Sequence, residues 1–176
     1  WLTDLLPPLR QGELLSLPGE GIPARYDPSL PAGRMNLRWA PLVREWRSLL
    51  EEELEPLAAP ARDRRFGDLL GLGPGSTPAG DDYLAGYTTG RLWLGCSAPS
   101  LPDTSRTTWL SAEILRDAAG GLTWKRSKDV LVSLSLNDAA ALMNAVSRIL
   151  DWGHTSGRAW LAGLSAAVSD TIERNV

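Results

Sequence analysis

The residues best placed to do chemistry lie in one run, Gly71-Leu-Gly-Pro-Gly-Ser-Thr-Pro-Ala-Gly-Asp-Asp-Tyr-Leu-Ala-Gly86. Gly73-Pro74-Gly75-Ser76 has the proline and glycine order of a type II turn. Thr77 suits a helix N-cap and Pro78 the first helical position. On that reading the N–H groups of Ala79, Gly80 and Asp81 have no partner inside the helix. Free N–H groups beside glycines make a cradle for an anion, here Gly73, Gly75, Ser76, Thr77 and Gly80. Asp81 and Asp82 add two adjacent carboxylates. They fit a cation such as Mg²⁺ bridging to a phosphate, a catalytic acid or base, or charges that offset the helix dipole. The same run also fits an ordinary loop and helix start.

A second segment echoes the first. Gly153-His-Thr-Ser-Gly-Arg-Ala-Trp-Leu-Ala-Gly163 repeats the pattern with one residue fewer than Gly75–Gly86. Thr155 answers Thr77, Gly157 answers Gly80, and Trp160 answers Tyr83. Thr155, Ser156 and Gly157 therefore join the candidate substrate-binding set. His154, the chain's one histidine, is a candidate catalytic base or anion donor, with a structural role as the alternative. A single histidine excludes a His-rich zinc site within one chain. Ser156 does not sit in a G-x-S-x-G elbow, so capping explains it better than nucleophilic attack. Gly71–Gly75 is followed by no Gly-Lys-Ser/Thr and preceded by helical sequence, so it is neither a phosphate loop of that type nor a dinucleotide fingerprint.

Both motifs open helices with small-residue stripes: Gly86 and Gly90 in one, Ala159, Gly163 and Ala167 in the other. Small residues let backbones approach. The pattern predicts two helices packed together with their N-termini at one end, forming a single site.

The first motif resembles the signature of a bacterial family that includes the AllH-type subunit of oxamate carbamoyltransferase, some members of which carry a carboxylase label. The segment Gly153–Gly157 is similar to that family's second motif. An acidic residue often follows the glycine there, whereas this chain has Arg158-Ala159. The resemblance runs from about Gly71 to the C-terminus. It implies a subunit of a carbamoyltransferase in purine or allantoin degradation, binding carbamoyl phosphate or an oxo-acid amide and working with other enzyme subunits. Two alternatives stand beside it. One is a Mg-dependent hydrolase or lyase using Asp81 and Asp82. The other is a non-catalytic interaction subunit.

The remaining elements must position these motifs. The 176 residues suffice for one core. The formal charge of −3 shows no dominant basic patch, so nucleic acid is not an expected partner. One cysteine, Cys96, allows no intrachain disulfide and fits a cytoplasmic, reducing setting. No apolar run is long enough for a bilayer and no signal peptide is visible, so no membrane is expected. The start at Trp1 rather than Met reads as a fragment or a processed chain.

Residues 1–40 read as an irregular or partly β segment. It holds a helix end over residues 1–6, stopped by Pro7-Pro8, and short strands around Leu14–Leu17 and Ile22–Tyr26. This long Gly/Pro-rich stretch is expected to cover another part of the protein or a partner. Residues 41–176 read as an α-helical domain. A helix from Pro41 carries Leu42, Trp46, Leu49, Leu50 and Leu54 inward and Glu51–Glu53 outward. Pro60 opens a shorter segment whose Arg62, Arg64 and Arg65 pair with glutamates or reach an anion at the glycine loop. Later helices are expected near Pro78–Leu94, from Trp109 to Gly120 with Trp109 inward, at Ser127–Leu134, from Asn137 as a cap to Leu150, and from Ser156 to the end. The fold class is mainly α, and an oligomer is plausible.

Overall fold

The computed structural model describes residues 26–32, 34–50, 54–100 and 103–173. The helix end at residues 1–6, the strand at 14–17, all but Tyr26 of the strand at 22–26, and Glu51–Glu53 lie outside the described residues. Among the described residues the protein is helical: α1 Ala40–Glu45, α2 Glu55–Arg62, α3 Phe66–Leu69, α4 Ala79–Trp93, α5 Trp109–Ala119, α6 Lys125–Ser135, α7 Ala139–Leu150 and α8 Ser156–Glu173. Among the described residues the segment before α1 forms no ladder; it carries an isolated bridge of Ser29 with Leu122, and a 3-10 turn at Leu37–Trp39 leads into α1.

The core is built on α4 and α8, which run side by side in the same direction. Every residue of α4 from Ala79 to Gly90 is buried. A helix enclosed on all sides has no polar face, which is why its sequence lacks an amphipathic period. The small-residue stripes interlock as expected. A Cβ on Gly86 would lie 2.1 Å from the Trp160 carbonyl oxygen, and one on Gly163 would lie 2.1 Å from that of Tyr83. A Cβ on Gly90 would lie 2.8 Å from both the Ala167 and Leu164 side chains. Each helix therefore presses its backbone into the gap left by the other's glycine. Tyr87 and Asp170 close the far end: the Tyr87 hydroxyl donates to Asp170 at 2.7 Å.

The other helices wrap this pair. Amphipathic α7 buries Leu142, Ala145 and Ile149. Its cap is Asp138, whose carboxylate accepts from the Ala141 N–H, rather than the expected Asn137. Asp138 lies one residue closer to the helix, where a side-chain oxygen reaches the free N–H groups. Trp109 is a further correction: it is 78% exposed, not inward. It is the first residue of α5, ahead of the turn whose Ala112 and Leu115 face the core.

Around Pro60 the expected boundary moves. Pro56 sits in the first turn of α2, and Pro60 lies inside the same helix. Among the described residues the arginines that follow pair with aspartates, while Glu51–Glu53, the partners expected for them, lie outside the described residues. Arg64 forks onto Asp170, while Arg65 meets Asp68 and Asp63. Arg64 has a left-handed φ of +53°, and this turns its guanidinium back onto α8.

The described loop residues 26–32 and 34–36 lie on their own chain. Leu30 N–H donates to Gly121, Thr123 N–H to Pro28, and Asn36 N–H to Leu134. The Trp39 indole donates to the Leu136 carbonyl at 2.9 Å.

Candidate functional site

Both motifs fold by the same local device. In the first, α3 ends at Leu69, the chain turns through residues 70–78, and Gly80 folds back onto it. The Gly80 N–H donates to Leu72, and a Cβ on Gly80 would lie 1.9 Å from the Leu69 oxygen. In the second, α7 ends at Leu150, and the Gly157 N–H donates to Trp152. A Cβ there would lie 1.8 Å from the Ile149 oxygen. The two glycines that answer each other in sequence thus answer each other in space. Each is the second residue of its helix, pressed against the last turn of the helix before it.

Of the three N–H groups expected to be free, those of Gly80 and Asp81 have partners: the first donates to Leu72 and the second to the Pro78 carbonyl, each at 2.9 Å, and Asp82 N–H also donates to Pro78 at 3.2 Å. Pro78 itself occupies the N-cap position, with φ −53° and ψ 139°. Thr77 does not cap. Its hydroxyl turns toward the second motif, with Oγ1 3.3 Å from Ser156 Oγ. Gly73 and Gly75 have φ of +117° and +94°, and Gly75 fits the third position of the expected turn. Residues Gly73–Ser76 are exposed on the surface above this contact, as are Gly153 and His154, with Thr77 and Thr155 half-buried beside them. The Thr155 carbonyl accepts the Ala159 N–H at the start of α8.

The two aspartates differ in their surroundings. Asp81 is a tie: Oδ1 accepts the Gly71 N–H at 2.8 Å, and Oδ2 accepts the Thr107 hydroxyl. The neighbouring Thr108 hydroxyl donates to the Ser76 carbonyl at 2.6 Å. The sequence marks these threonines only as a helix lead-in, with no signal that they pin the glycine loop. Asp82 is 1% exposed, and its Oδ2 has no hydrogen-bond partner among the described residues. Burial pushes its pKa up to about 7. The hydrogen bond from Ser156 pulls the other way, and the Asp81 charge adds to the rise.

Ser156 lies between the two, interacting with the buried Asp82 carboxyl on one side and with Thr77 on the other. Thr77, Ser156 and Asp82 thus form a side-chain relay in which each hydroxyl can donate or accept. It links the first motif to the second and runs from a half-exposed hydroxyl to a buried carboxyl. The two helix starts do meet, and this side-chain relay joins them.

Both Asp81 oxygens already hold hydrogen-bond donors. Among the described residues no group of three or more His, Cys, Asp or Glu side chains gathers where a metal could be held.

Residues 69–168 match the family described as oxamate carbamoyltransferase subunit AllH. The chain belongs to the AllH family. The matched segment runs from the end of α3 into α8 and contains both motifs, the relay and the Thr107–Thr108 tie. No curated protein and no solved structure matches the chain. Among the described residues no helix is long and apolar enough to cross a membrane.

Proposed function

We propose that this chain is a subunit of an oxamate-carbamoyltransferase-like enzyme and that it holds a small anionic substrate, carbamoyl phosphate or an oxo-acid amide, at the junction of the two motifs. The observation that carries the reading is the contact of Thr77 with Ser156 at 3.3 Å, beside the buried Asp82 and open to the surface on the Thr77 side. The exposed backbone of Gly73–Ser76 and the side chains of Thr77, Thr155 and His154 form the outer wall, where an anion finds donors without desolvating a charge. Asp82 is the acid–base group. A carboxyl with a pKa of about 7 can store or release a proton at neutral pH. Ser156 and Thr77 carry that proton between the interior and the substrate edge. Asp81 is a positioning residue that fixes the loop through Gly71 and Thr107. The family's name speaks of a subunit, so complementary groups from other subunits complete the catalytic site.

The test is calorimetric titration of the chain with oxamate, phosphate and carbamoyl phosphate. Thr77→Val and Ser156→Ala should each weaken binding about tenfold, the effect of one lost hydrogen bond to a charged ligand. An anion next to Asp82 binds best while that carboxyl is neutral, so affinity should fall as pH rises through about 7. No heat with any of the three ligands would end this reading.

One observation favours the interaction-subunit alternative. Trp109 is 78% exposed directly after Thr108, which holds the glycine loop. A large apolar side chain at that position suits a partner subunit seated beside the junction. Co-purification of partner chains that is lost in Trp109→Ala, with no ligand bound by the isolated chain, would support it.

A further inference from the structure

A cleft of about 740 Å³ lies between α1 with the 3-10 turn Trp46–Leu50, α2, α3 and the α4–α8 pair. Its volume is that of a small-molecule site, about 300–1,000 Å³. The inner wall is apolar and aromatic. Leu50, Ala61, Tyr83 and Tyr87 are buried there, and Phe66 is half-buried. The Phe66 and Tyr87 rings lie with centroids 5.0 Å apart. The rim is charged: Arg44, Arg47, Arg62 and Arg64 are exposed around it, together with Glu45 and Glu173. Every one of these rim residues lies outside the segment that matches the family, and Thr77, Asp82 and Ser156 do not line the cleft.

The four arginines are unequally engaged. Arg64 is clamped: its Nε donates to Asp170 Oδ2 at 2.9 Å, its Nη2 donates to Oδ1, and Asp170 also accepts from the Tyr87 hydroxyl at 2.7 Å. The left-handed φ of +53° that aims it there is uncommon in a residue with a side chain. A guanidinium held along one edge keeps further N–H donors, and this side chain is 51% exposed. Arg62 has a 3.5 Å contact with Asp63, and among the described residues Arg44 and Arg47 make no ion pair. These parts narrow the occupant. Guanidiniums grip a phosphate through several donors at once. A partly exposed aromatic ring takes a flat base by stacking. Carboxylates such as Glu45 and Glu173 accept from sugar hydroxyls, which a bare inorganic anion or a dicarboxylate does not offer. A polyphosphate chain would bring further negative charge against those same glutamates.

We propose that this cleft binds a nucleoside monophosphate, its phosphate on the arginine rim, its ribose hydroxyls on Glu45 or Glu173 and its base against Phe66. The site is separate from the junction of the two motifs and stands or falls independently of the function proposed there. Asp170 and Tyr87 act beneath it as positioning residues, since they hold Arg64 in place.

The experiment is equilibrium dialysis of the full chain against AMP, adenosine, ribose 5-phosphate and inorganic phosphate. AMP should bind in a saturable way. Adenosine lacks the group that the arginines hold and should bind at least about a hundredfold more weakly, and inorganic phosphate, without base or sugar, should also bind more weakly than AMP. Arg47→Gln and Arg62→Gln should each weaken AMP about tenfold, the loss of one charged hydrogen-bonding partner. Phe66→Leu should weaken AMP and leave ribose 5-phosphate unchanged, because only the base meets that ring. No AMP retained by the wild type at about 1 mM would overturn the proposal. So would an AMP affinity unchanged in both arginine variants, which would put the nucleotide elsewhere on the chain. Adenosine or phosphate bound as tightly as AMP would overturn the nucleotide assignment. The wild-type comparison of ligands decides even if a variant does not fold.

Discussion

Asp82→Asn replaces a buried carboxyl with a group of the same shape that cannot ionise. In the wild type, burial raises this pKa from 3.8 to about 7. Between those values the folded chain keeps a proton that the unfolded chain has released. Stability therefore falls as pH rises, and the loss levels off above about 7, where both states are ionised. The slope for one proton is about 1.36 kcal/mol per pH unit. From pH 5 to pH 8 the wild type should lose about 2.7 kcal/mol through Asp82, nearly all of it below about pH 7. The asparagine lacks this slope. It brings an NH₂ group to the side where Asp82 Oδ2 has no partner, at a pH-independent cost of about 1–3 kcal/mol. The variant should thus be less stable than wild type at pH 5 and gain on it by about 2.7 kcal/mol by pH 8. Urea unfolding followed by circular dichroism at both pH values measures the difference. Asp170 has a lowered pKa and is present in both chains, so its titration falls below this window and cancels. Parallel stability curves for the two proteins would refute the argument that Asp82 is a neutral buried acid.

The remaining expectations concern the scaffold. Gly86→Ala places a Cβ 2.1 Å from the Trp160 carbonyl and should cost more than about 3 kcal/mol in urea unfolding, whereas Gly75→Ala meets nothing within 4 Å and should cost only about 1 kcal/mol for its positive φ. Thr107→Val removes the donor to Asp81 Oδ2, leaves that oxygen buried, and should destabilise by about 1–3 kcal/mol by the same measurement. Burial alone would raise the Asp170 pKa, but hydrogen bonds from Arg64 and Tyr87 hold it below the usual carboxylate range. That stabilisation is present above the ordinary carboxylate pKa and is lost as pH falls through the lowered one. Asp170→Asn should cost about 1–2 kcal/mol at pH 7, since Arg64 is half exposed, and the cost should shrink on acidification. Alkaline titration should find the Tyr87 phenol pushed up to about 12, by burial first and by its bond to Asp170 second.

What the sequence determined by itself was local and steric. Helical period, glycine and proline placement and the small-residue stripes specify α4 and α8, their close approach and their shared orientation, because these depend on the size and spacing of neighbours along the chain. The repeated glycine at Gly80 and Gly157 was legible as a repeat, though not as a seat for the preceding helix's carbonyl. Tertiary structure alone decided which polar groups remain free. Spacing cannot show that Leu72 takes the Gly80 N–H, that Thr107 takes Asp81, or that Thr77 turns to Ser156 instead of capping its own helix. Nor can it separate Asp81 from Asp82, adjacent in sequence and opposite in character. One faces two donors, while the other lies buried with an oxygen unpaired, and the pKa of a carboxyl is set by the groups the fold brings around it.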